Sequence, residues 1–288
     1  MRPLEEDLNR SRDVKKILEK GNLLKPFEIG LAVVDLQQKD VNGQYRVFGY
    51  DMDEFIYPAS VSKIYIAAEV WRQAANRGLD LSQTIEIKVP NDIDRDPATF
   101  PADTRDLLKP GDSVSIDYLL DLMLSRSDNT ASNVLIDLIG RDAINRNIIS
   151  RNGWQGSEVT RKFLPRSLEE PMYKGARITM SCPRHVVDCF VRMTDTPFTA
   201  LRLQKYMRPN NDMWPPKYYC RKGGKHSSQL STPRKMAHWL HETGIVLGRY
   251  STYAIALMTL DKNELQTSSF PLETFMTDFN SYMESYKY

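Results

Sequence analysis

The chain has 288 residues, of which 41% are hydrophobic and 26% charged, so it has the size and composition of an ordinary globular protein with one large domain or two interleaved subdomains. Its net charge is only +2, and no basic cluster alternates with aromatic residues, which gives no reason to expect a nucleic acid or a charged membrane as partner. The longest apolar run, Tyr253–Met258, is too short to span a bilayer.

The predicted elements begin with a helix and a β-hairpin. Charged and apolar residues alternate at helical spacing over Glu5–Leu24. A buried strand, Phe27–Asp35, is followed through Asn42-Gly43 by a hairpin partner, Gln44–Tyr50. A further helix is expected from Ser60 to about residue 77.

The middle of the chain is mostly helical, and strands return near its end. A long loop rich in Pro and Asp, Asp92–Asp112, is expected over or beside the candidate site. The other predicted helices are Ile116–Leu124, Thr130–Ile139, Pro183–Met193 and Pro271–Tyr286, and the other predicted strands are Lys217–Lys222, Gly244–Leu247 and Thr252–Leu260.

The arrangement of strands at both ends and helices between them predicts the fold class. A hairpin alone is only marginally stable, so the terminal strands are expected to pair in one antiparallel sheet flanked by helices. The predicted fold is therefore an α+β (α/β sandwich) domain over residues 1–288 with an inserted all-helical lobe. The sheet subdomain would comprise residues 25–60 and 210–288, and the helical lobe residues 61–209. The cleft between them is the expected site.

The first candidate site is the pair Ser60 and Lys63, which form Ser-x-x-Lys at the start of a predicted helix. Residues three apart on a helix share a face, so the Lys63 amine can act as base for the Ser60 hydroxyl if burial or nearby charge lowers its pKa. The backbone N–H groups of a helix start also favour a developing oxyanion. The alternative is that Ser60 simply caps the helix.

Two further motifs follow in order. Ser127-Asp128-Asn129 lies between two predicted helices, where Ser127 could relay a proton and Asn129 could hold a substrate amide. Arg221-Lys222-Gly223-Gly224 follows a predicted strand and offers a cation, with glycines that permit close approach of a substrate. Taken singly, the first segment is equally well interpreted as a helix cap, and the second as a hairpin turn with solvated lysines.

Ser-x-x-Lys, Ser-Asp-Asn and Lys-[Thr/Ser]-Gly, in this order, form the motif set of class A β-lactamases and penicillin-binding proteins. The chain resembles a serine β-lactamase of the class A type over most of its length, although Gly223 stands where Thr or Ser is usual. The resemblance implies an oxyanion hole made by the backbone N–H groups of Ser60 and Lys225. Lys222, Gly223, Gly224 and Lys225 would then bind the substrate together with Asn129.

The resemblance also implies a glutamate that activates water for hydrolysis of the acyl-enzyme. Counting through Val159–Pro171 puts Arg166 at that position, and a guanidinium cannot act as a base. Glu169 and Glu170 are the alternative bases if the loop folds differently, although both could also be solvated surface acids.

Three functions are therefore open. The first is hydrolysis of β-lactams through an acyl-serine, with turnover completed by Glu169, Glu170 or Lys63. The second is a penicillin-binding DD-peptidase that acts on D-alanyl peptides and deacylates slowly, and the third is a non-catalytic peptidoglycan-binding relative. The intact Ser60, Lys63, Ser127 and Lys222 argue against the third function.

The expected partner is a small β-lactam or a peptidoglycan-derived peptide, without metal or organic cofactor, and the protein is expected to be a monomer. The three cysteines, an odd number, leave at least one free thiol and show no zinc spacing. No apolar signal segment is present at the start, so we expect either a cytosolic protein or, as the resemblance favours, a periplasmic or secreted one whose signal has been removed. Of the histidines, only His226 lies near the expected site.

Overall fold

Strands come from both ends of the chain and helices mainly from its middle in this computed structural model, which describes residues 4–24, 27–76, 78–100, 103–207, 218–229, 236–261 and 270–286. The strands are β1 (Glu5–Glu6), β2 (Phe27–Asp35), β3 (Arg46–Tyr50), β4 (Thr84–Glu86), β5 (Ser113–Ser115), β6 (Tyr218–Arg221), β7 (Gly224–Gln229), β8 (Met236–Leu247) and β9 (Thr252–Asp261). The helices are α1 (Leu8–Lys20), α2 (Lys63–Ala75), α3 (Ile116–Ser125), α4 (Asn129–Ile139), α5 (Arg141–Ile144), α6 (Pro183–Thr194), α7 (Pro197–Tyr206) and α8 (Phe270–Ser285).

The chain divides into two compact units. One comprises residues 1–61, 180–204 and 208–288, and the other residues 62–179 and 205–207. In the part of the chain that the structure describes, no helix is long and apolar enough to cross a membrane.

The first unit is built on the predicted sheet of N- and C-terminal strands, which is confirmed. Its described strands lie in the order β1-β3-β2-β9-β8-β6, and β7 pairs with β8 beside β6. All neighbours are antiparallel except β1, which pairs in parallel with β3, so the sheet is mixed rather than purely antiparallel. β1 is two residues long and directly precedes α1, and it shows too little alternation to be recognised in the sequence.

Helices cover both faces of the central strands. Side chains alternate along β2, so Leu31 and Val33 lie on one face, in a buried cluster with α1 and α8. Gly30 lies on the other face, where a Cβ atom would come within 2.7 Å of Pro183, the first residue of α6. Burial on both faces explains the almost uninterrupted apolar sequence of β2 and β9.

The second unit is organised around α2. Eight of its thirteen residues are buried, and the helix packs against α3, α4 and α5. A helix that is apolar on nearly all sides has to be enclosed in this way. Two polar groups are buried within it: Lys63, its first residue, and Glu69, whose carboxylate accepts hydrogen bonds from Arg72, Gln73 and Asn147.

Some predicted elements differ from the observed ones. The helix expected from Ser60 starts with a 3-10 turn, Ala59–Ser62, and becomes α-helical at Lys63. Strand β8 begins at Met236 rather than Gly244; its first half, in which His238 and His241 interrupt the apolar residues, pairs with β7, a strand that the sequence did not predict. Lys217, the first residue of a predicted strand, lies outside the described residues. The three cysteines are all buried and free.

Candidate active site

The segment before Ser60 is anchored to the sheet of the first unit. Ile56 forms an isolated β-bridge with Ser181, and the carbonyl oxygen of Tyr57 accepts a hydrogen bond from Nε2 of His241 on β8, at 2.8 Å. The N–H of Val61 donates to the Pro58 carbonyl at 2.9 Å and closes the turn around Ser60. Ser60 is partly exposed in this turn, three residues before Lys63.

The amine of Lys63 is held by three acceptors in the second unit. Its Nζ donates to the carbonyl oxygen of Ser127 at 2.5 Å, to Oγ of Ser127 at 3.1 Å and to Oδ1 of Asn129 at 2.7 Å. These acceptors match the three protons of an ammonium group. The predicted site residues Lys63, Ser127 and Asn129 therefore lie together.

Burial makes Lys63 suitable as a base. The side chain is wholly buried, and desolvation lowers its pKa to about 7, against the opposing charges of Asp94 and Asp128. Near neutral pH a substantial fraction of the amine is therefore uncharged and able to accept a proton. Ser-x-x-Lys alone could not show this, since the lowered pKa arises from residues far apart in the sequence.

The turn that carries Ser127 is locally strained. Ser127 has φ of +65°, a left-handed conformation that a non-glycine residue adopts at a cost on the order of 1 kcal/mol. Asp128 holds the turn: its Oδ1 caps α4 by accepting from the N–H of Ala131 at 2.7 Å, and its Oδ2 accepts from Arg126 at 2.8 Å. The helix cap, which was the alternative role predicted for this segment, is thus present beside the hydrogen bonds that Lys63 makes to Ser127 and Asn129.

Asp94 is a member of this cluster that the sequence analysis did not single out. Its Oδ2 accepts from the N–H groups of Asn129 and Thr130, the latter at 2.9 Å, and its Oδ1 accepts from Nδ2 of Asn129 at 3.2 Å. Asp94 belongs to the loop that was expected beside the site. Several acids occupy that loop, and no spacing in the sequence distinguishes this one from Asp92 or Asp96.

The loop expected to supply the hydrolytic base presents Phe163 to Lys63 instead. The ring centre of Phe163 is 4.5 Å from Nζ of Lys63. Asn133 on α4 holds the backbone of Phe163 at both ends, because its Oδ1 accepts from the Phe163 N–H at 2.8 Å and its Nδ2 donates to the Phe163 carbonyl at 3.4 Å. Counting along the sequence had pointed to Arg166, but that side chain is exposed and donates to the carbonyls of Lys174 and Ala176.

The two candidate glutamates are engaged in ion pairs. Glu169 is buried: its Oε1 accepts from Arg141 at 2.7 Å, and its Oε2 accepts from the N–H of Lys162 at 3.0 Å. Glu170 is half exposed and lies 3.2 Å from Nζ of Lys162 and 3.9 Å from Arg141. Glu169 is thus enclosed within the loop by its partners, whereas the carboxylate of Glu170 remains accessible to solvent.

The Lys222 motif lies at the junction of β6 and β7. Lys222 is buried, its N–H donates to the carbonyl of Thr243 at 2.8 Å, and Oγ1 of Thr243 donates back to the Lys222 carbonyl at 2.5 Å. Gly223 follows with an ordinary backbone conformation, and Gly224 begins β7. Lys225 and His226 lie within β7 opposite Leu240 and Trp239, and their side chains are outside the described part.

The profile of the beta-lactamase enzyme family matches residues 9–272, which is most of the chain. The chain belongs to this family. No curated protein sequence matches it. Within the described residues, no group of three His, Cys, Asp or Glu side chains is arranged to hold a metal ion.

Solved structures share the fold at low sequence identity. A beta-lactamase from Sphaerobacter thermophilus is 17% identical with a TM-score of 0.66, over 96% of this chain and 98% of that chain. A class A beta-lactamase from Bacteroides cellulosilyticus is 18% identical with a TM-score of 0.64, over 94% and 96%. PBP-A is 15% identical with a TM-score of 0.69, over 99% and 100%. The beta-lactamase fold is thereby confirmed, whereas the roles of the individual site residues stay predictions.

Proposed function

We propose that this member of the beta-lactamase family is a serine acyl enzyme for β-lactams and D-alanyl peptides, which is acylated on Ser60 and releases the acyl group slowly. The observation that supports the proposal best is the buried amine of Lys63, hydrogen-bonded to Ser127 and Asn129, with a pKa of about 7. A lysine in this state is a competent base at neutral pH.

In the proposed reaction, neutral Lys63 takes the proton of the Ser60 hydroxyl as the oxygen attacks the substrate carbonyl. The negative charge that develops on the carbonyl oxygen is stabilised by backbone N–H groups, each worth about 3 kcal/mol. As the C–N bond breaks, Ser127 donates its hydroxyl proton to the leaving nitrogen and recovers a proton from the Lys63 ammonium. The products are an ester on Ser60 and the free amine, with Lys63 neutral again.

Slow release follows from the environment of Lys63. Hydrolysis of the ester needs a base for the attacking water, and an aromatic ring cannot serve as one. Phe163 is the loop residue in contact with Lys63, while Glu169 is buried in its pair with Arg141. Rapid β-lactam hydrolysis is the second candidate function, favoured by the half-exposed carboxylate of Glu170 on the same loop.

The test is the intact mass of the protein after mixing with benzylpenicillin, sampled from seconds to hours, with the free drug quantified in the same samples. The proposal predicts a stoichiometric adduct that persists while the remaining drug stays intact. Drug hydrolysed in large excess over protein, with little adduct, would establish the second candidate instead. No adduct and no loss of drug would reject both and leave a binding role.

Two variants test which residue is the nucleophile and which is the base. Ser60→Ala should abolish the adduct, and an adduct that survives would show that Ser60 is not the nucleophile. Lys63→Arg keeps a positive charge but cannot act as a base, so acylation should slow about 10²–10⁴-fold. Lys88→Arg, at an exposed position of the same unit, is the matched control and should acylate at the wild-type rate.

A further inference from the structure

We propose that Asp94 is a positioning residue of this site, which orients the side-chain amide of Asn129 and supplies a counter-charge for Lys63. The inference rests on the acylation chemistry proposed above. It concerns a residue outside the three sequence motifs, and all its contacts lie within the second unit.

The hydrogen bonds around Asn129 leave its amide only one favourable orientation. Its Oδ1 accepts from Nζ of Lys63 at 2.7 Å, and its Nδ2 donates to Oδ1 of Asp94 at 3.2 Å. Rotating the amide by 180° would place its NH2 group next to the Lys63 ammonium and its oxygen next to the Asp94 carboxylate. Both contacts would be repulsive. The second hydrogen of Nδ2 then has a fixed direction in which it can donate to a substrate carbonyl.

The second oxygen of Asp94 binds the start of α4. It accepts from the N–H groups of Asn129 and Thr130, while Oγ1 of Thr130 accepts from the N–H groups of Ile93 and Asp94 at 3.1 and 3.3 Å. This reciprocal arrangement ties the loop to the helix start. Asp94 is buried, so its position is set by these bonds rather than by solvent.

The charges around Lys63 give Asp94 its electrostatic role. The carboxylates that act on Lys63 are Asp94, from the loop, and Asp128, at the start of α4. Asp128 already has an ionic partner, because Nε and Nη2 of Arg126 donate to its Oδ2 at 3.1 and 2.8 Å. Desolvation and the charge of Asp128 raise the pKa of Asp94, while its hydrogen bonds from the N–H groups of Thr130 and Asn129 and, to a smaller extent, the charge of Lys63 oppose this shift.

Removal of the Asp94 charge should therefore make Lys63 a weaker base that is neutral over a wider pH range. The charge of Asp94 raises the pKa of Lys63, so Asp94→Asn should lower that pKa further, by about one unit. The acidic limb of the acylation profile should move to lower pH by the same amount. On the plateau above it, acylation should be about tenfold slower, because Asn129 is no longer held in one orientation.

The experiment measures the second-order rate constant of acylation by benzylpenicillin from pH 5 to 9 for the wild type, Asp94→Asn and Asp92→Asn. Asp92 is a matched control, since it is an acid of the same loop that pairs with the exposed Arg95. The inference expects the shifted limb and lower plateau for Asp94→Asn alone. A limb and plateau that coincide with those of the wild type would overturn it.

A second readout does not need activity. The pKa of Lys63 can be followed through its side-chain NMR resonances, assigned with Lys63→Arg, together with the Nδ2 resonances of Asn129. If the wild type is not acylated, the proposed function fails, and the inference is then judged by these resonances. A Lys63 pKa equal in the wild type and Asp94→Asn overturns the inference, and a lowered pKa supports it.

Two more variants guard against misfolding of Asp94→Asn. Asp94→Ser removes the charge but keeps an acceptor for the helix N–H groups, so it should lower the Lys63 pKa as Asp94→Asn does. Asp94→Glu restores the charge, so the acidic limb should return towards its wild-type position. If Asp94→Glu behaves like Asp94→Ser, the charge of residue 94 is not the cause, and the inference is wrong.

Discussion

The Nζ atom of Lys63 lies 4.5 Å from the ring centre of Phe163, at the point where the loop after residue 159 meets α4. The ring is held there by both hydrogen bonds of Asn133 to the Phe163 backbone. A cation over an aromatic face is stabilised electrostatically, but the ring offers no acceptor that could take a proton from water. Under the proposed function, this contact is the reason to expect acylation promoted by Lys63 without rapid hydrolysis.

Phe163→Glu is therefore expected to speed deacylation. A carboxylate at this position can act as the base for water, and it should release the Ser60 ester at least about 100-fold faster than Phe163→Gln does. The new charge also raises the pKa of Lys63, so the acylation rate has to be measured separately. The decay of the adduct by intact mass, after removal of free benzylpenicillin, gives the deacylation rate directly.

Phe163→Gln is the matched control, because it removes the ring and adds a polar group of the same length without a base. If Phe163→Gln deacylates as fast as Phe163→Glu, the ring merely excludes water. If neither variant differs from the wild type, then contact with Lys63 does not determine how fast the ester is released.

Gly223 is the second position where this chain departs from the motif set of its family. A Cβ atom there would lie 3.5 Å from the carbonyl oxygen of His241, which is ordinary contact, so a side chain fits without strain. Gly223→Thr should place a hydroxyl where it can bind a substrate carboxylate. One such bond, worth about 1.4 kcal/mol, would raise the second-order rate constant of acylation by benzylpenicillin about tenfold.

Gly223→Val controls for the shape of the new side chain, since valine matches threonine in size but has no hydroxyl. The two variants should differ in stopped-flow acylation, and threonine should be the faster. Equal rates for both would show that the hydroxyl makes no bond to the substrate, and the gain would then be attributed to packing alone.

The fold could be predicted from the sequence because its signals are local. The apolar runs of β2 and β9 reflect burial on both faces, and the apolar content of α3 and α4 reflects burial of most of their residues. The polar strand β7 and the first half of β8, where two histidines interrupt the apolar residues, gave no such signal, since their pairing depends on backbone hydrogen bonds that are independent of the side chains.

Only those site residues that belong to the sequence motifs could be predicted. The grouping of Lys63, Ser127 and Asn129 follows from two short patterns with known spacing. Phe163 and Asp94 were missed because their roles depend on the path of two loops, and neither residue type signals a function in those positions. Counting residues placed Arg166 at the position expected for the hydrolytic base, but the loop turns earlier and places Phe163 next to Lys63.

The two candidate glutamates should differ in their contribution to stability, because only Glu169 forms a buried pair with Arg141. Both side chains of this pair are almost wholly buried, so Glu169→Gln leaves the Arg141 cation with only the longer contact to Glu170 and should lower the free energy of unfolding by about 3 kcal/mol. Glu170 is 46% exposed, and Glu170→Gln should change the stability by less than about 1 kcal/mol. Urea unfolding followed by circular dichroism measures both values.

Deacylation of the same two variants completes this test. Neither substitution is expected to change the lifetime of the Ser60 adduct, as long as it is measured well below the unfolding transition. An adduct that persists at least about tenfold longer in Glu170→Gln would identify Glu170 as the hydrolytic base, and the rapid β-lactamase would then be the better assignment.

His241 ties the segment before Ser60 to the sheet in its neutral form. The N–H of Thr259 donates to Nδ1 at 3.1 Å, so Nδ1 is an acceptor and the proton resides on Nε2, which donates to the carbonyl of Tyr57. Burial lowers the pKa of His241 to about 4. A proton added to Nδ1 would oppose the Thr259 N–H, and the resulting charge would be wholly enclosed.

The stability of the protein should therefore fall on acidification. Unfolded histidine has a pKa near 6.5, so between about pH 6.5 and pH 4 the unfolded state binds a proton that folded His241 does not bind. The free energy of unfolding therefore decreases by up to roughly 3 kcal/mol over this range.

His241→Gln keeps a donor for Tyr57 and should remove the contribution of His241 to the slope of stability against pH. His185, whose pKa is also lowered to about 4, adds a slope of its own, so the difference between variant and wild type is the relevant quantity. Urea unfolding at half-unit steps of pH measures it, with His238→Gln, three residues away in β8, as the control. Parallel slopes in the wild type and His241→Gln would show that His241 takes up its proton in the folded state.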